Sequence, residues 1–277
     1  MPKPVMSTLI WSWEQGIYVL YEQGNPDTPS SFMHGVPLLA PKLQLPRLPS
    51  SLVERSRLFA RLDAGRMGKL TLLSAPAGFG KTMLVRQWVN DRMGTGNAQA
   101  PFPPLAWVTL DPNDNDPIRF WHYLISACQT MQAGVGRSVV SLLDTAQRLP
   151  FEPFSLEAVI TTFLNELTHA LPGGILVLDD YHVISSPQIH KAMAFFLDHL
   201  PTTLHLLIIT RVDPPFLLTH LRAHSDLCEL RAGDLRFSPE ETRAFLEQTM
   251  SLPLSSEIMI QCETLLEGWV TGLRLLA

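Results

Sequence analysis

The segment Ala75-Pro76-Ala77-Gly78-Phe79-Gly80-Lys81-Thr82 constrains the fold of this chain more than any other stretch. It follows the apolar run Lys69–Ala75, which reads as a buried strand, and leads into Thr82–Asn90, which reads as a helix. A strand that passes through a glycine-rich turn into a helix opening on Lys-Thr is the pattern of a phosphate-binding loop. Ala75 stands in place of its first glycine. The chemistry explains the residue types. Gly78 and Gly80 let the backbone turn its N–H groups inward around phosphate oxygens, where the positive end of the next helix adds attraction. Lys81 is placed to reach the β- and γ-phosphates of ATP or ADP, and the Thr82 hydroxyl to take a position on Mg2+. The bland alternative is a glycine-rich turn with an incidental lysine; the strand before and the helix after weigh against it.

A strand buried on both faces needs neighbours, and the rest of the chain supplies them. Leu105–Leu110, Gly174–Leu178, Leu204–Thr210 and Leu227–Leu230 read as further strands, and helical patterns over 117–131, 155–171 and 187–200 separate most of them. Such alternation predicts an α/β fold, a P-loop NTPase parallel sheet with helices on both faces. From Ser238-Pro239-Glu240-Glu241, a capping box with proline at the first helical position, only helices follow. The expected organisation is a poorly ordered N-terminal extension (1–37), a P-loop NTPase domain (38–236) and the start of a helical domain (237–277). The last helix, Trp269–Ala277, is mostly apolar and stops without a capping residue, so the chain is expected to be the front part of a longer protein.

Composition narrows the function classes. With 46% hydrophobic and 17% charged residues the chain can bury a core and is not disordered as a whole. Its net charge of −5 argues against nucleic-acid binding by this chain itself. Cys128, Cys228 and Cys262 are too far apart for a disulfide framework or a paired-cysteine metal site. No apolar run approaches the roughly 18 residues of a membrane span, and a cytoplasmic protein without a membrane partner is expected.

Three further signals bear on chemistry. Ile175-Leu176-Val177-Leu178-Asp179-Asp180 is an apolar strand ending in two carboxylates: Asp179 would hold Mg2+, and Asp180 would orient or deprotonate the attacking water. A turn or cap role is the alternative for both. Thr210-Arg211 closes the next apolar strand, and ligands of open α/β sheets bind at the carboxyl ends of strands. Arg211 therefore reads as a γ-phosphate contact or as a surface arginine. Asp111-Pro112-Asn113-Asp114-Asn115-Asp116 reads chiefly as capping for the helix from Pro117, with assistance to water or Mg2+ as the other possibility.

Taken with these motifs, longer stretches resemble a known family. They include Leu39-Ala40-Pro41-Lys42-Leu43 and Leu52-Val53-Glu54-Arg55, then the phosphate loop and Arg86-Gln87-Trp88. Trp107-Val108-Thr109-Leu110-Asp111, Asp114-Asn115-Asp116-Pro117-Ile118-Arg119-Phe120 and Leu178-Asp179-Asp180-Tyr181-His182 follow. Asp234-Leu235-Arg236-Phe237-Ser238 and Gly268-Trp269 with Gly272-Leu273 close the series. Over about 38–277 the chain is similar to the N-terminal ATPase domain of MalT-like, LuxR-type large ATP-binding transcriptional regulators, in the signal-transduction (STAND) class of P-loop NTPases. The resemblance implies a slow ATPase serving as a switch, ADP-bound off and ATP-bound on. It also implies self-association in the ATP state, and DNA binding only through a C-terminal domain absent from this chain. It further implies that Lys42–Arg55 helps cover adenine, that Arg211 senses phosphate, and that Gly268–Ala277 touches nucleotide. The family usually has proline where this chain has Val270, which removes the basis for an adenine contact there. The alternative function is a catalytic P-loop ATPase of another class, a motor or transporter type, although no transporter signature loop is found.

Overall fold

The computed structural model describes residues 7–12, 17–22, 38–49, 52–94, 102–148, 155–216, 218–250 and 256–276. The chain divides into two compact units, Met1–Ala40 and Pro41–Ala277. In the first, β1 (Ser7–Ser12) and β2 (Ile17–Glu22) pair antiparallel, with Ser7 opposite Glu22. Runs such as Leu9-Ile10-Trp11 and Tyr18-Val19-Leu20-Tyr21 are strong strand formers, so the extension expected over 1–37 holds a hairpin in its described part.

A short turn at Ala40–Leu43 spans the boundary, and the second unit then runs α1 (Ser56–Gly65), β3 (Leu70–Ser74), α2 (Lys81–Gly94) and β4 (Leu105–Thr109). α3 (Pro117–Met131), α4 (Arg137–Arg148) and α5 (Leu156–Ala170) lead to β5 (Gly174–Asp179). α6 (Pro187–Asp198), β6 (Leu204–Thr210), α7 (Thr219–Ala223) and β7 (Leu227–Arg231) complete the alternation. The strands form one parallel sheet in the order β4-β5-β6-β3-β7. Register sets the level at which they end: Ser74 lies beside Thr210 and Arg231, and Thr109 beside Asp179. The carboxyl ends therefore share one edge, where a ligand of an open α/β sheet belongs.

β3, β5 and β6 are buried along their whole length, as their unbroken apolar sequences require when helices cover both faces. Alternate residues Leu73, Val177, Leu207 and Ile209 meet Leu58, Phe59 and Leu62 of α1 and Leu84, Val85 and Trp88 of α2. α3 packs on β4 and β5 and meets α6. There the fully buried Trp121 sits edge-on to Phe163 at 6.5 Å and Phe196 at 5.4 Å. α4 was not expected from the sequence. The glycines before it obscure its start, yet Val139 and Leu143, four residues apart, are both buried on its inner face. Gly134 and Gly136 take positive φ of 95° and 71°, and Glu166 of α5 accepts a 2.6 Å bond from Gly136 N–H, which fixes where α4 begins.

Beyond the sheet come α8 (Ala232–Leu235) and α9 (Pro239–Ala244), which continues as a π turn over Phe245–Thr249, then α10 (Ser256–Leu266) and α11 (Val270–Leu276). Ser238 caps α9 by the expected box. Phe245, Leu246, Met259, Cys262 and Leu273 form the small core of this helical part. Leu265 and Leu275 point outward, 75% and 79% exposed, so only one stripe of these helices finds cover. No helix among the described residues is long and apolar enough to cross a membrane.

Trp121→Ala tests the aromatic layer between α3, α5 and α6. Truncating so large a fully buried ring is expected to cost about 3–5 kcal/mol in urea-unfolding free energy, and a loss below about 1 kcal/mol would contradict the packing described.

Candidate functional site

The phosphate loop begins where β3 ends, and Ala75 N–H donates to Thr210 O at 3.3 Å, so the loop starts from a fixed point on the sheet. Gly78 and Gly80 stand at φ of 84° and 72°, the left-handed region that side chains disfavour. A methyl on Gly78 would also strike Thr271 Oγ1 at 2.6 Å, whereas Gly80 faces open space and is required by its φ alone. Leu84 N–H donates to Gly80 O at 2.8 Å and starts α2, whose amino end is thus aimed at the loop.

Lys81 lies back across the loop, donating to the carbonyls of Ala75 at 2.7 Å and Pro76 at 2.9 Å. Only 8% of it is exposed. Burial and the nearby Arg211 charge hold its pKa below the ordinary lysine value, against the pull of Asp180 and Asp179. Thr82 Oγ1 donates to Asp179 Oδ1 at 3.1 Å, and the same oxygen accepts Asp180 N–H at 3.0 Å. Asp179 is buried, and desolvation, followed by the charge of Asp180, pushes its pKa up to about 6. Asp180 sits at φ 58°, ψ 35°, a left-handed conformation that aspartate tolerates better than most residues. Its carboxylate is 3.7 Å from His182 Nδ1.

Ala77, Gly78, Gly80, Lys81, Thr82, Asp180 and Arg211 all line one cleft of about 580 Å3. Ala75 is buried beneath it, with its carbonyl on Lys81, and Phe79 packs into the core under α1 and α2. The cleft is also lined by the apolar Leu52, Val53, Phe237, Phe245 and Met250, and α11 contributes Val270, Thr271 and Arg274. The donor set suits a hard divalent cation. A hydroxyl and a carboxylate stand 3.1 Å apart, and among the described residues no group of three His, Cys, Asp or Glu could hold a metal unaided. That is the sparse protein contribution Mg2+ takes when phosphates and water supply the remaining ligands.

The stretch Lys42–Arg55 divides. Pro49, Leu52, Val53 and Arg55 reach the cleft, but Lys42 does not line it. It is buried in ion pairs with Asp111 at 3.0 Å and with Asp114, and its ammonium lies 4.4 Å from the Tyr123 ring centre. Capping accounts for much of the acidic turn: Asp116 accepts from Arg119 N–H at 2.8 Å, and Asp111 from Asn113 N–H at 2.8 Å.

Asn115 was missed as a site residue. It accepts from Ser185 N–H at 2.6 Å and Ser186 N–H at 3.0 Å and donates to Val183 O at 2.9 Å. Val183 N–H in turn donates to Asp180 O at 3.1 Å, so Asn115 fixes the turn that carries Asp180. Arg55 was missed in its main role. Only 4% exposed, it donates to the carbonyls of Leu235 at 2.9 Å and Arg236 at 3.0 Å and pairs with Glu241 at 3.4 Å, gripping the chain between sheet and helical part. Burial lowers its pKa to about 10.

No family model matches the chain. Over 240 residues, 87% of its length, it is 34% identical to the HTH-type transcriptional regulator MalT of Yersinia enterocolitica and 35% identical to that of Serratia proteamaculans. The aligned stretch is 25% of each regulator, so the chain spans about a quarter of the length of the curated relatives it matches. Among solved structures, a STAND protein with a tetratricopeptide repeat sensor from Pyrococcus horikoshii superposes with a TM-score of 0.54 at 14% identity. That match covers 83% of this chain and 30% of the other, and it shows a shared fold.

The raised pKa of Asp179 carries a sign that can be measured. An acid whose pKa rises on folding, here from 3.8 to about 6, favours the folded protein where it is protonated in that state alone. Its stabilisation is full below about pH 4 and is lost as pH climbs through 6. Asp179→Asn keeps an acceptor for Thr82 and Asp180 without the buried charge. It is expected to raise nucleotide-free stability by about 1–2 kcal/mol at pH 7.5 and to lose that advantage near pH 4. Thermal melts of both proteins at the two pH values check this, and a destabilised variant at pH 7.5 contradicts it.

Proposed function

We propose that this chain, a relative of the MalT regulators over its P-loop ATPase region, is an ATP-binding and ATP-hydrolysing switch domain of a LuxR-type transcriptional activator. The observation that carries the reading is the convergence of Lys81, Thr82 and Asp180 on one cleft, with Asp179 bonded to Thr82 beneath it. In this reading the inward-turned backbone around Gly78 and Gly80 cradles phosphate oxygens. Lys81 exchanges its two carbonyl partners for the β- and γ-phosphates, so the lysine is already buried and aimed before it is used. Thr82 and Asp179 hold Mg2+, which when bound supplies positive charge to the phosphate oxygens. Asp180, held in its left-handed turn, orients the attacking water and accepts its proton. Arg211 stands at the end of β6 as the residue that reads the terminal phosphate.

The switch states follow as part of the same proposal: ADP-bound off, ATP-bound on, with slow hydrolysis between them and self-association in the ATP state. DNA contact is assigned to a helix-turn-helix region outside these residues, which the net charge of −5 supports. A cytoplasmic setting suits the three unpaired cysteines. We place the NTPase domain at 38–236 and the start of the helical domain at 237–277, the boundary falling beside the carbonyls that Arg55 grips. A motor or transporter ATPase is the alternative. It predicts rapid turnover with free product release, where a switch retains ADP.

Two substitutions test the roles. Lys81→Ala is expected to weaken Mg2+–ATP binding at least about tenfold in calorimetry, since a buried charge-assisted contact is worth roughly 1.5–3 kcal/mol. Asp180→Asn is expected to keep affinity within about twofold while slowing single-turnover hydrolysis about a hundredfold. Unchanged binding in the first variant, or unchanged hydrolysis in the second, removes the corresponding assignment.

A further inference from the structure

After β6 the chain leaves the sheet for three exposed residues, Arg211, Val212 and Asp213, before Pro214 is buried again. Val212, the apolar member, is itself turned to water, so polar bonds have to hold the shape of this turn. One closes its base, where the buried Thr210 donates from Oγ1 to Val212 O at 2.7 Å. The other reaches sideways. Asp213 Oδ1 accepts from Ser74 Oγ at 2.8 Å and pairs with the Arg231 guanidinium. Ser74 ends β3, and Arg231 ends β7 directly beside it. A single carboxylate oxygen therefore ties the turn after β6 across the ends of two further strands.

Arg211 stands between the two ties, and it has reason to need them. Burial, and after it the charge of Arg211, lowers the pKa of both Lys81 and His182, so the guanidinium is held close to another cation. Like charges so placed repel, and an arginine on an unconstrained exposed turn swings toward water. Asp213 also fixes the turn against the phosphate loop itself. Ser74 directly precedes Ala75, whose N–H donates to Thr210 O at 3.3 Å, so the root of the loop is bonded to the Arg211 turn at both 210 and 213. The bond from Arg231 holds the Asp213 carboxyl below the ordinary aspartate range, and the tie stays charged at neutral pH. Arg231 is steadied in turn by Glu229, which accepts the Arg222 fork through two bonds of 2.9 Å.

We propose that Asp213 is a positioning residue for nucleotide hydrolysis, holding the Arg211 turn in register with the phosphate loop through Ser74 and Arg231. This role rests on the nucleotide reading given above and on the place of Arg211 in it. Asp213 does not line the cleft and acts through Arg211, which does. Its pair with Arg231 is half-exposed, and such pairs contribute little to folding. The carboxylate serves to place the turn more than to stabilise the sheet.

The test is single-turnover hydrolysis of Mg2+–ATP by the full chain, as wild type, Arg211→Ala, Asp213→Ala, Asp213→Asn and the Arg211→Ala/Asp213→Ala double variant. Mg2+–ADP affinity and melting curves are taken alongside. Asp213→Ala is expected to slow hydrolysis at least about tenfold, as a misplaced catalytic group does. ADP affinity is expected to stay within about twofold and the melting temperature within about 3 °C. Asp213→Asn keeps an acceptor for Ser74 without the charge for Arg231. It is expected to fall between, and it carries the comparison if the alanine variant folds poorly. In the Arg211→Ala background, removing Asp213 is expected to change the rate less than about twofold, because nothing is left to position. A wild-type rate in both Asp213 variants overturns the proposal. So does an equal loss of ADP affinity, or an undiminished loss of rate in the Arg211→Ala background, either of which marks a merely structural tie. A wild-type rate in Arg211→Ala removes the role of Arg211 and the proposal with it. If the wild type does not turn over Mg2+–ATP, the functional reading itself fails, and that result appears before any variant is compared.

Discussion

A carboxylate buried at the tip of a strand must be held by donors or give up its charge, and Asp179 sets the terms for everything around it. One of its oxygens takes both the Thr82 hydroxyl and the Asp180 N–H, so the strand that ends there is bonded to the first turn of α2 and to the turn that follows. This single oxygen links β5 to the phosphate loop across β6, the strand that lies between β5 and β3. The parallel register makes the link possible, because all the strands finish at one level. Were β5 displaced by one residue, the carboxylate would point to the other face and the loop would lose its anchor. The cost of keeping that charge out of water, visible as a pKa near 6, is the sort of strain a metal relieves.

Around this anchor, arginines join the sheet part to the helices that follow, beside the apolar contact that Val53 makes with the helical core. Arg55 and Arg57 both bond the Arg236 carbonyl, at 3.0 and 2.6 Å, and both pair with Glu241. Arg57 and Glu241 leave α1 and α9 fastened through directional bonds that can be remade at a new angle, which a packed apolar seam could not. Arg55 is the costly member: burying it is tolerable only because two carbonyls and a carboxylate surround it. The helical part is thus gripped at its near end by α1 and touches the phosphate loop at its far end through Thr271.

How much of this could be read from the residues depends on how local each signal is. The phosphate loop, the Asp179-Asp180 pair and Arg211 are written in contiguous runs of strand and turn, and each lies where that pattern puts it. The capping box at Ser238 is equally local. What escaped reading depends on partners far along the chain. Asn115 looks like one more turn residue until Ser185 and Ser186, seventy and seventy-one positions away, are brought against it. The resemblance implies a place for Lys42 over the base with the rest of 42–55, yet Asp111 and Asp114 capture it. Arg55 meets Glu241 across 186 positions. The helix from Arg137 is a different case. Val139 and Leu143 do carry the period, but glycines at 134 and 136 make the stretch resemble a connection.

Trp269 has an optical consequence. Its indole lies against Gly78, at the crest of the phosphate loop, and 36% of the residue remains open to water. Trp88, Trp107 and Trp121 are sealed in the core and emit from a dry environment. The solvent-facing indole is therefore distinguishable from those three by wavelength and by access to a soluble quencher. Any movement that parts the helix from the loop wets the ring further, and any that tightens the contact dries it. With Trp11 and Trp13 replaced, this indole is a fluorescent gauge of closure with no label to attach.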